Sequence, residues 1–172
     1  AIDAIEIALI MGGKPVTFSD SSGWVYDSEG VDVDLLREIK EVRRGRVSDY
    51  VAERPSATFH AKGRPWQVPC DVALPSATEN ELNSNDAKRL AAGGCLVVAE
   101  GANMPSTPTA IEVFRDAGIM FAPGKAANAG GVAVSSLEME QNASRASWSL
   151  DKVERNLAEI MQGIHDACLH TA

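Results

Sequence analysis

Short apolar runs alternate with amphipathic helical patterns along this chain, and no other feature restricts its fold as strongly. Residues 15–19, 70–74, 95–99 and 119–122 have the length and apolar character of strands, and residues 57–60 form a weaker fifth candidate. The helices between them have readable ends. Ser84 stands where a cap would open a helix through Leu90, which Gly93 stops, and Thr107 followed by Pro108 opens another that Gly118 stops. Residues 34–47 read as one charged amphipathic helix, with Leu35, Leu36, Ile39 and Val42 inward and Lys40, Arg43 and Arg44 toward solvent or a ligand. A helix is expected from Gly130 to about Trp148; Ser149 then caps another, on which Val153, Leu157, Ile160, Met161 and Ile164 recur at helical spacing. This order predicts an α/β fold of βαβ units. Its sheet is mainly parallel, with helices on both faces and two longer helices at the C-terminal end.

The two ends depart from the pattern. Ile2, Ile5 and Leu9 form a helical stripe, yet the chain starts inside that helix with no capping residue and no strand before it. Residue 1 therefore reads as a cut end, with the first strand of the sheet missing and a sheet edge left open. Residues 169–172 likewise stop within a helical pattern. No repeat, low-complexity segment or Pro/Gly/Ser-rich linker divides residues 1–172, so a single domain is expected.

Charge and residue usage exclude several classes. Sixteen Lys and Arg against 24 Asp and Glu give a net charge of −8, a surface that repels phosphate backbones, so no nucleic-acid partner is expected. No apolar run approaches the ~20 residues that span a bilayer, and the start lacks a secretory signal pattern. The expectation is a cytoplasmic protein with no membrane partner. Cys70, Cys95 and Cys168 are odd in number and widely spaced, and His60, His165 and His170 are as scattered. Neither a disulfide framework nor a metal site is suggested, and buried free thiols are the simpler reading.

In an open parallel sheet, ligands bind beyond the carboxyl ends of the strands. The loops there are Ser19-Asp20-Ser21-Ser22-Gly23, residues 75–80 (Pro-Ser-Ala-Thr-Glu-Asn), residues 100–105 (Glu-Gly-Ala-Asn-Met-Pro) and residues 123–131 (Pro-Gly-Lys-Ala-Ala-Asn-Ala-Gly-Gly). Small residues admit a ligand to the backbone, and Asn, Ser and Thr offer donors and acceptors, so a ligand cleft is the leading reading. Taken singly, each element also fits a plainer role. Asp20 suits a turn start as well as a ribose contact, Gly130 and Gly131 suit a helix entry, and Arg43 and Arg44 suit a solvated face. Gly124-Lys125 is no phosphate loop, because Gly118 is at the wrong distance and Ala126 stands where Ser or Thr would bind magnesium. No nucleophile–base pair and no Gly-x-Ser-x-Gly elbow can be named.

Together, those loops, with Asp71 and Leu82 at the ends of the second string, resemble the coenzyme domain of hexameric NADP-type glutamate dehydrogenases of the Glu/Leu/Phe/Val dehydrogenase superfamily. The likeness continues through Ser136-Leu-Glu-Met139, Gln141-Asn142 and Trp148 and covers almost the whole chain. It implies a Rossmann-like fold with the first strand and the Gly-x-Gly-x-x-Gly/Ala turn missing. Ala1 falls where the last small residue of that turn belongs, and Asp20-Ser21 lies about 20 residues on, as the fingerprint's acidic position does. It further implies a separate N-terminal substrate domain, absent from residues 1–172, whose lysine and aspartate do the proton work. No catalytic residue is then expected in this chain, and the piece alone is expected to be inactive.

The resemblance also distributes roles. Asp20 and Ser21 match the pair that meets the adenosine ribose or its 2′-phosphate, and Lys40 falls where NADP-preferring members place a basic residue. Ala77 and Thr78 match the ribose-side loop, Asn103 the residue near the nicotinamide carboxamide, and Asn128 the loop facing the nicotinamide. Ser135, with Val132 beside it, matches the positions that hold the side-chain carboxylate of glutamate. Ser76 and Glu79 depart from the cysteine and glutamine usual there. The implied cofactor is NADP, with NAD possible, the implied substrates are L-glutamate or 2-oxoglutarate with ammonia, and the implied assembly is a homohexamer. Two other readings stay open: a non-catalytic nucleotide-binding or assembly module, and a leucine or phenylalanine dehydrogenase relative.

Overall fold

Caps and glycines close the local elements much as the sequence requires. The structure, a computed structural model, describes residues 1–171. In chain order the elements are α1 (Ile2–Ile10), β1 (Thr17–Asp20), β2 (Gly23–Asp27), α2 (Val33–Arg37), β3 (Ala57–His60), β4 (Val72–Ala73), α3 (Ser84–Ala92), β5 (Val97–Ala99), α4 (Pro108–Asp116), β6 (Met120–Ala122), α5 (Gly124–Ala127), α6 (Gly130–Ser144) and α7 (Leu150–Thr171). The Thr107 hydroxyl accepts from the Ala110 N–H at 3.3 Å ahead of Pro108, and Gly118 follows α4 at φ 69°. At α3 the cap is Asn83 instead of Ser84. Asn83 Oδ1 accepts from the Asn85 and Asp86 N–H groups at 2.9 and 3.2 Å, and Asp86 returns the bond to the Asn83 N–H.

The strands form two three-stranded sheets. β4, β5 and β6 are parallel, with Val72 opposite Val97 and Val97 opposite Met120, as the βαβ pattern predicts. β1, β2 and β3 are antiparallel, with Phe18 opposite Val25 and Val25 opposite Phe59. Strand β2 was not expected, and residues 19–23, read as a loop, are the end of β1, the two-residue hairpin turn Ser21-Ser22 and the start of β2. Gly23 makes this hairpin feasible: its φ is 151°, and a Cβ there would run into the His60 carbonyl. Each sheet has its own core. Phe18, Val25, Leu36, Ile39 and Tyr50 pack in one, and Leu82, Leu90, Val98, Ala110 and Phe114 in the other.

Residues 34–47 do not form one helix. Asp32 caps α2 by accepting from the Leu35 N–H at 3.0 Å, and the helix then widens into a π-turn over Glu38–Val42 and ends at Arg44, whose φ is 57°. The extra residue in that turn rotates the face that follows. Val42, expected inward, is therefore 75% exposed, while Lys40 turns back toward β1. Helix α6 stops at Ser144, short of Trp148, because Arg145 takes the left-handed conformation at φ 52°. Of the thiols, Cys95 is buried and Cys70 half-buried, but Cys168 is exposed on α7, which corrects the expectation that all three are buried. Among the described residues no helix is long and apolar enough to cross a membrane.

Candidate functional site

Asp20 organises the hairpin turn at the carboxyl end of β1. Its Oδ1 accepts from the Ser22 N–H at 2.8 Å and the Ser22 hydroxyl at 2.5 Å. Its Oδ2 accepts from the Lys40 ammonium at 2.8 Å and the Val47 N–H at 3.2 Å. Burial by itself raises the Asp20 carboxyl, but the Lys40 ammonium and the Ser22 and Val47 donors outweigh it and hold the group well below the usual carboxylate range. Lys40 also donates to the Gly45 carbonyl at 3.0 Å, so its charge is committed on two sides. Ser21, next in the turn, is exposed, and its hydroxyl accepts from the Arg46 guanidinium at 2.9 Å. The Arg46 backbone N–H donates to Asp49 at 2.9 Å, but among the described residues its guanidinium pairs with no carboxylate, so it and Ser21 present a guanidinium and a hydroxyl suited to an anion. A groove of about 350 Å³ beside this turn is lined by Ala1, Ser19, Lys40 and Val47 over a floor that includes Phe18 and Leu36.

The loops after β4, β5 and β6 form one hydrogen-bonded shelf. The Pro75 carbonyl accepts from the Gly101 and Ala102 N–H groups at 2.9 and 3.0 Å. Farther along, the Asn80 N–H donates to the Met104 carbonyl at 3.0 Å and the Leu82 N–H to the Pro105 carbonyl at 2.9 Å. Glu100 joins the third loop. It is buried, accepting from the Ser106 N–H through Oε1 at 3.1 Å and from the Gly124 N–H through Oε2 at 2.7 Å. Asn128 completes the link by donating its side-chain amide to the Ala102 carbonyl at 2.7 Å. Glycines permit this closeness: a Cβ on Gly124 would stand 3.0 Å from both the Ala102 oxygen and the Asn128 Nδ2, and one on Gly101 would meet the Ser76 hydroxyl.

The expected site residues fall into separate clusters. Asp20, Ser21 and Lys40 meet at the β1 turn. Asn103, Asn128 and Val132 line a second groove of about 470 Å³ with Lys125 and, from α7, Ile160 and Ile164. Ala77 and Thr78 are exposed on the loop after β4, where the Glu81 carboxylate accepts from the Ala77 N–H at 2.8 Å. Ser135 is exposed one turn beyond Val132 and does not line that groove. Sequence reasoning missed two residues of the site, Arg46 and Glu100. Arg46 closes the basic string 43–46 just past a glycine, and Glu100 is a carboxylate directly after an apolar strand; both signals were present in the sequence.

The most perturbed groups elsewhere are structural. Asp27 is fully buried and accepts from the Tyr50 hydroxyl, Arg54, the Ser56 hydroxyl and the Glu29 N–H; these donors overcome burial and hold its carboxyl below the usual range. Burial, with Asp27 as acceptor, pushes the Tyr50 phenol up to about 12, and burial likewise pushes the Cys70 thiol up to about 12. None of these groups lines either groove.

The profile of the Glutamate/Leucine/Phenylalanine/Valine dehydrogenase family matches residues 1–172. The chain belongs to this family. Among its relatives, the glutamate dehydrogenase of Bacteroides thetaiotaomicron is 52% identical over 168 residues, covering 96% of this chain and 38% of that protein. The NADP-specific glutamate dehydrogenase of Helicobacter pylori is 53% identical over 179 residues, covering 100% of this chain and 40% of that protein. The crystal structure of Plasmodium falciparum glutamate dehydrogenase superimposes with a TM-score of 0.93 at 41% identity, covering 100% of this chain and 38% of that one. The Rossmann-like α/β fold expected from the sequence is thus the fold of this dehydrogenase-family chain. The chain spans about two-fifths of the length of the relatives it matches.

Proposed function

We propose that this chain is the coenzyme-holding part of an NADP-preferring glutamate dehydrogenase, a homohexamer that interconverts L-glutamate with 2-oxoglutarate and ammonia. The observation that carries this reading is the shelf of three loops beyond β4, β5 and β6, with Asn103, Asn128 and Val132 gathered in one groove. The likeness to the glutamate dehydrogenase of Bacteroides thetaiotaomicron and the NADP-specific glutamate dehydrogenase of Helicobacter pylori supports it. In this reading residues 1–172 are an incomplete coenzyme domain, and the groups that transfer protons lie elsewhere in the polypeptide. The 172-residue piece alone is then inactive.

The residues present suit such a coenzyme. Its nicotinamide supplies hydride transfer when bound, and the protein's part is to hold and orient it. The Asn103 and Asn128 amides serve the nicotinamide end, and Ala77 and Thr78 serve the ribose side. Ser21 and Arg46 offer the 2′-phosphate of NADP charge-assisted hydrogen bonds. Lys40 contributes through Asp20: by neutralising that carboxylate it lowers the repulsion an anion at Ser21 would meet, while NAD, lacking the phosphate, gains nothing from Arg46. Val132 and Ser135 are assigned to the glutamate side chain.

Steady-state assay of the complete polypeptide tests this assignment. Glutamate-dependent reduction of NADP is expected, and Arg46→Ala should raise the KM for NADP by about tenfold while leaving the KM for NAD near its starting value. Ser135→Ala should impair use of glutamate; unchanged glutamate specificity would favour a leucine or phenylalanine dehydrogenase. Binding of NADPH without any turnover of an amino acid would favour a non-catalytic nucleotide-binding module.

A further inference from the structure

Glu100 is 4% exposed, and among the described residues it has no Lys, Arg or His partner. A buried carboxylate without a counter-ion is costly unless its oxygens are satisfied by hydrogen bonds. Here each oxygen takes one backbone N–H, Ser106 on one side at 3.1 Å and Gly124 on the other at 2.7 Å. Those amides belong to different segments, Ser106 in the loop following β5 and Gly124 at the start of the short helix α5 that follows β6. A side chain that spans two segments and meets no other partner is a brace, and what it braces can be followed atom by atom. The Gly124 carbonyl accepts from the Asn128 N–H at 2.9 Å, so fixing Gly124 fixes the turn that presents Asn128. The Asn128 amide then donates to the Ala102 carbonyl at 2.7 Å, which is the peptide leading into Asn103.

We propose that Glu100 is a positioning residue for coenzyme binding, acting through Gly124 and Asn128 to set the relative placement of Asn128 and Asn103 in their groove. This rests on the coenzyme reading above. The need for two acceptor oxygens at once accounts for a carboxylate here. Glutamine of the same size offers one carbonyl and turns an NH₂ donor toward a second N–H donor, and Asp is one methylene too short to reach both segments. Gly124 belongs to the same device, since a Cβ there would stand 3.3 Å from Glu100 Oε2 as well as against Ala102 and Asn128.

The test is a double-mutant cycle on NADPH affinity in the complete polypeptide, read by ligand fluorescence, with amide exchange at Gly124 as a second readout. Glu100→Gln should weaken NADPH binding about tenfold and expose the Gly124 amide to exchange, and Asn128→Ala should weaken binding by a similar factor. If Glu100 acts through Asn128, the double variant binds no more than a few-fold worse than the weaker single variant; independent, multiplying losses overturn the proposal. Unchanged affinity in Glu100→Gln also overturns it. Should Glu100→Gln fail to fold, Gly124→Ala displaces the same contacts, and its wild-type-like affinity would overturn the proposal. A wild-type polypeptide that binds no NADPH at all instead defeats the coenzyme reading on which the cycle is built.

Discussion

The two sheets of this chain solve the same problem, holding a loop at a strand's end, by different means. In the β1–β2–β3 half, charged side chains do it: Asp27 is buried under four donors, Asp20 pairs with Lys40, and Arg37 ties α2 to Glu6 of α1 at 2.7 Å. In the β4–β5–β6 half the strands are two or three residues long and stand because Leu90 of α3 and Phe114 of α4, with Leu82 just ahead of α3, pack against Ala73 and Val98. There the loops are joined backbone to backbone, with Glu100 as the one buried carboxylate among them. Ion pairs can order a hairpin whose face is small, whereas parallel strands need a covered apolar face before they form at all.

That difference predicts where each substitution acts, with native-state amide exchange of the complete polypeptide reporting each sheet separately. The largest effect is expected from Phe114→Ala, which empties the second core and should destabilise the β4–β6 amides by about 4 kcal/mol with little change in β1–β3. Asp27→Asn should do the reverse, loosening β2 and β3 by about 3 kcal/mol, because Arg54 and Tyr50 lose the charge they surround. Asp20→Asn should cost about 2 kcal/mol at neutral pH, and this loss carries a sign with pH. The folded Asp20 carboxyl lies below its unfolded value, so its contribution is complete above about pH 4 and fades as pH falls toward the folded value; wild type and variant should converge in acid. Asn83→Ala, which removes one cap, should cost only about 1 kcal/mol, confined to α3. Protection that falls equally in both sheets after Phe114→Ala or Asp27→Asn would mean that the halves unfold as one unit.

Local chemistry made much of this legible beforehand. Thr107-Pro108 and Gly118 mark α4 because a hydroxyl cap, a fixed φ and a positive φ are properties of single residues. The strands at residues 57–60, 70–74, 95–99 and 119–122 were visible as apolar runs, and the loops beyond the last three carried the composition of a ligand cleft. Strand β2 was legible but unread: Trp24-Val25-Tyr26 is a run of strand-favouring residues, passed over because the polar residues ahead of Gly23 read as a ligand loop, and its pairing with β1 and β3 appears only in the fold. The inward turn of Lys40 was hidden: a straight helix over residues 34–47 puts it outside, and only the π-turn brings its ammonium to Asp20.

The sequence by itself determined the order of elements, most of their ends and which loops carry the polar and small residues, because these depend on neighbours a few positions apart. Only the tertiary structure decided which charges are spent on each other and which remain for a ligand. Lys40 and Asp20, 20 residues apart, neutralise one another and leave Arg46 beside Ser21; Glu100 and Gly124, 24 apart, join the segments that follow β5 and β6. Such pairings depend on distances across the fold, where a carboxylate takes whichever donor burial brings within reach, and no local pattern encodes that choice.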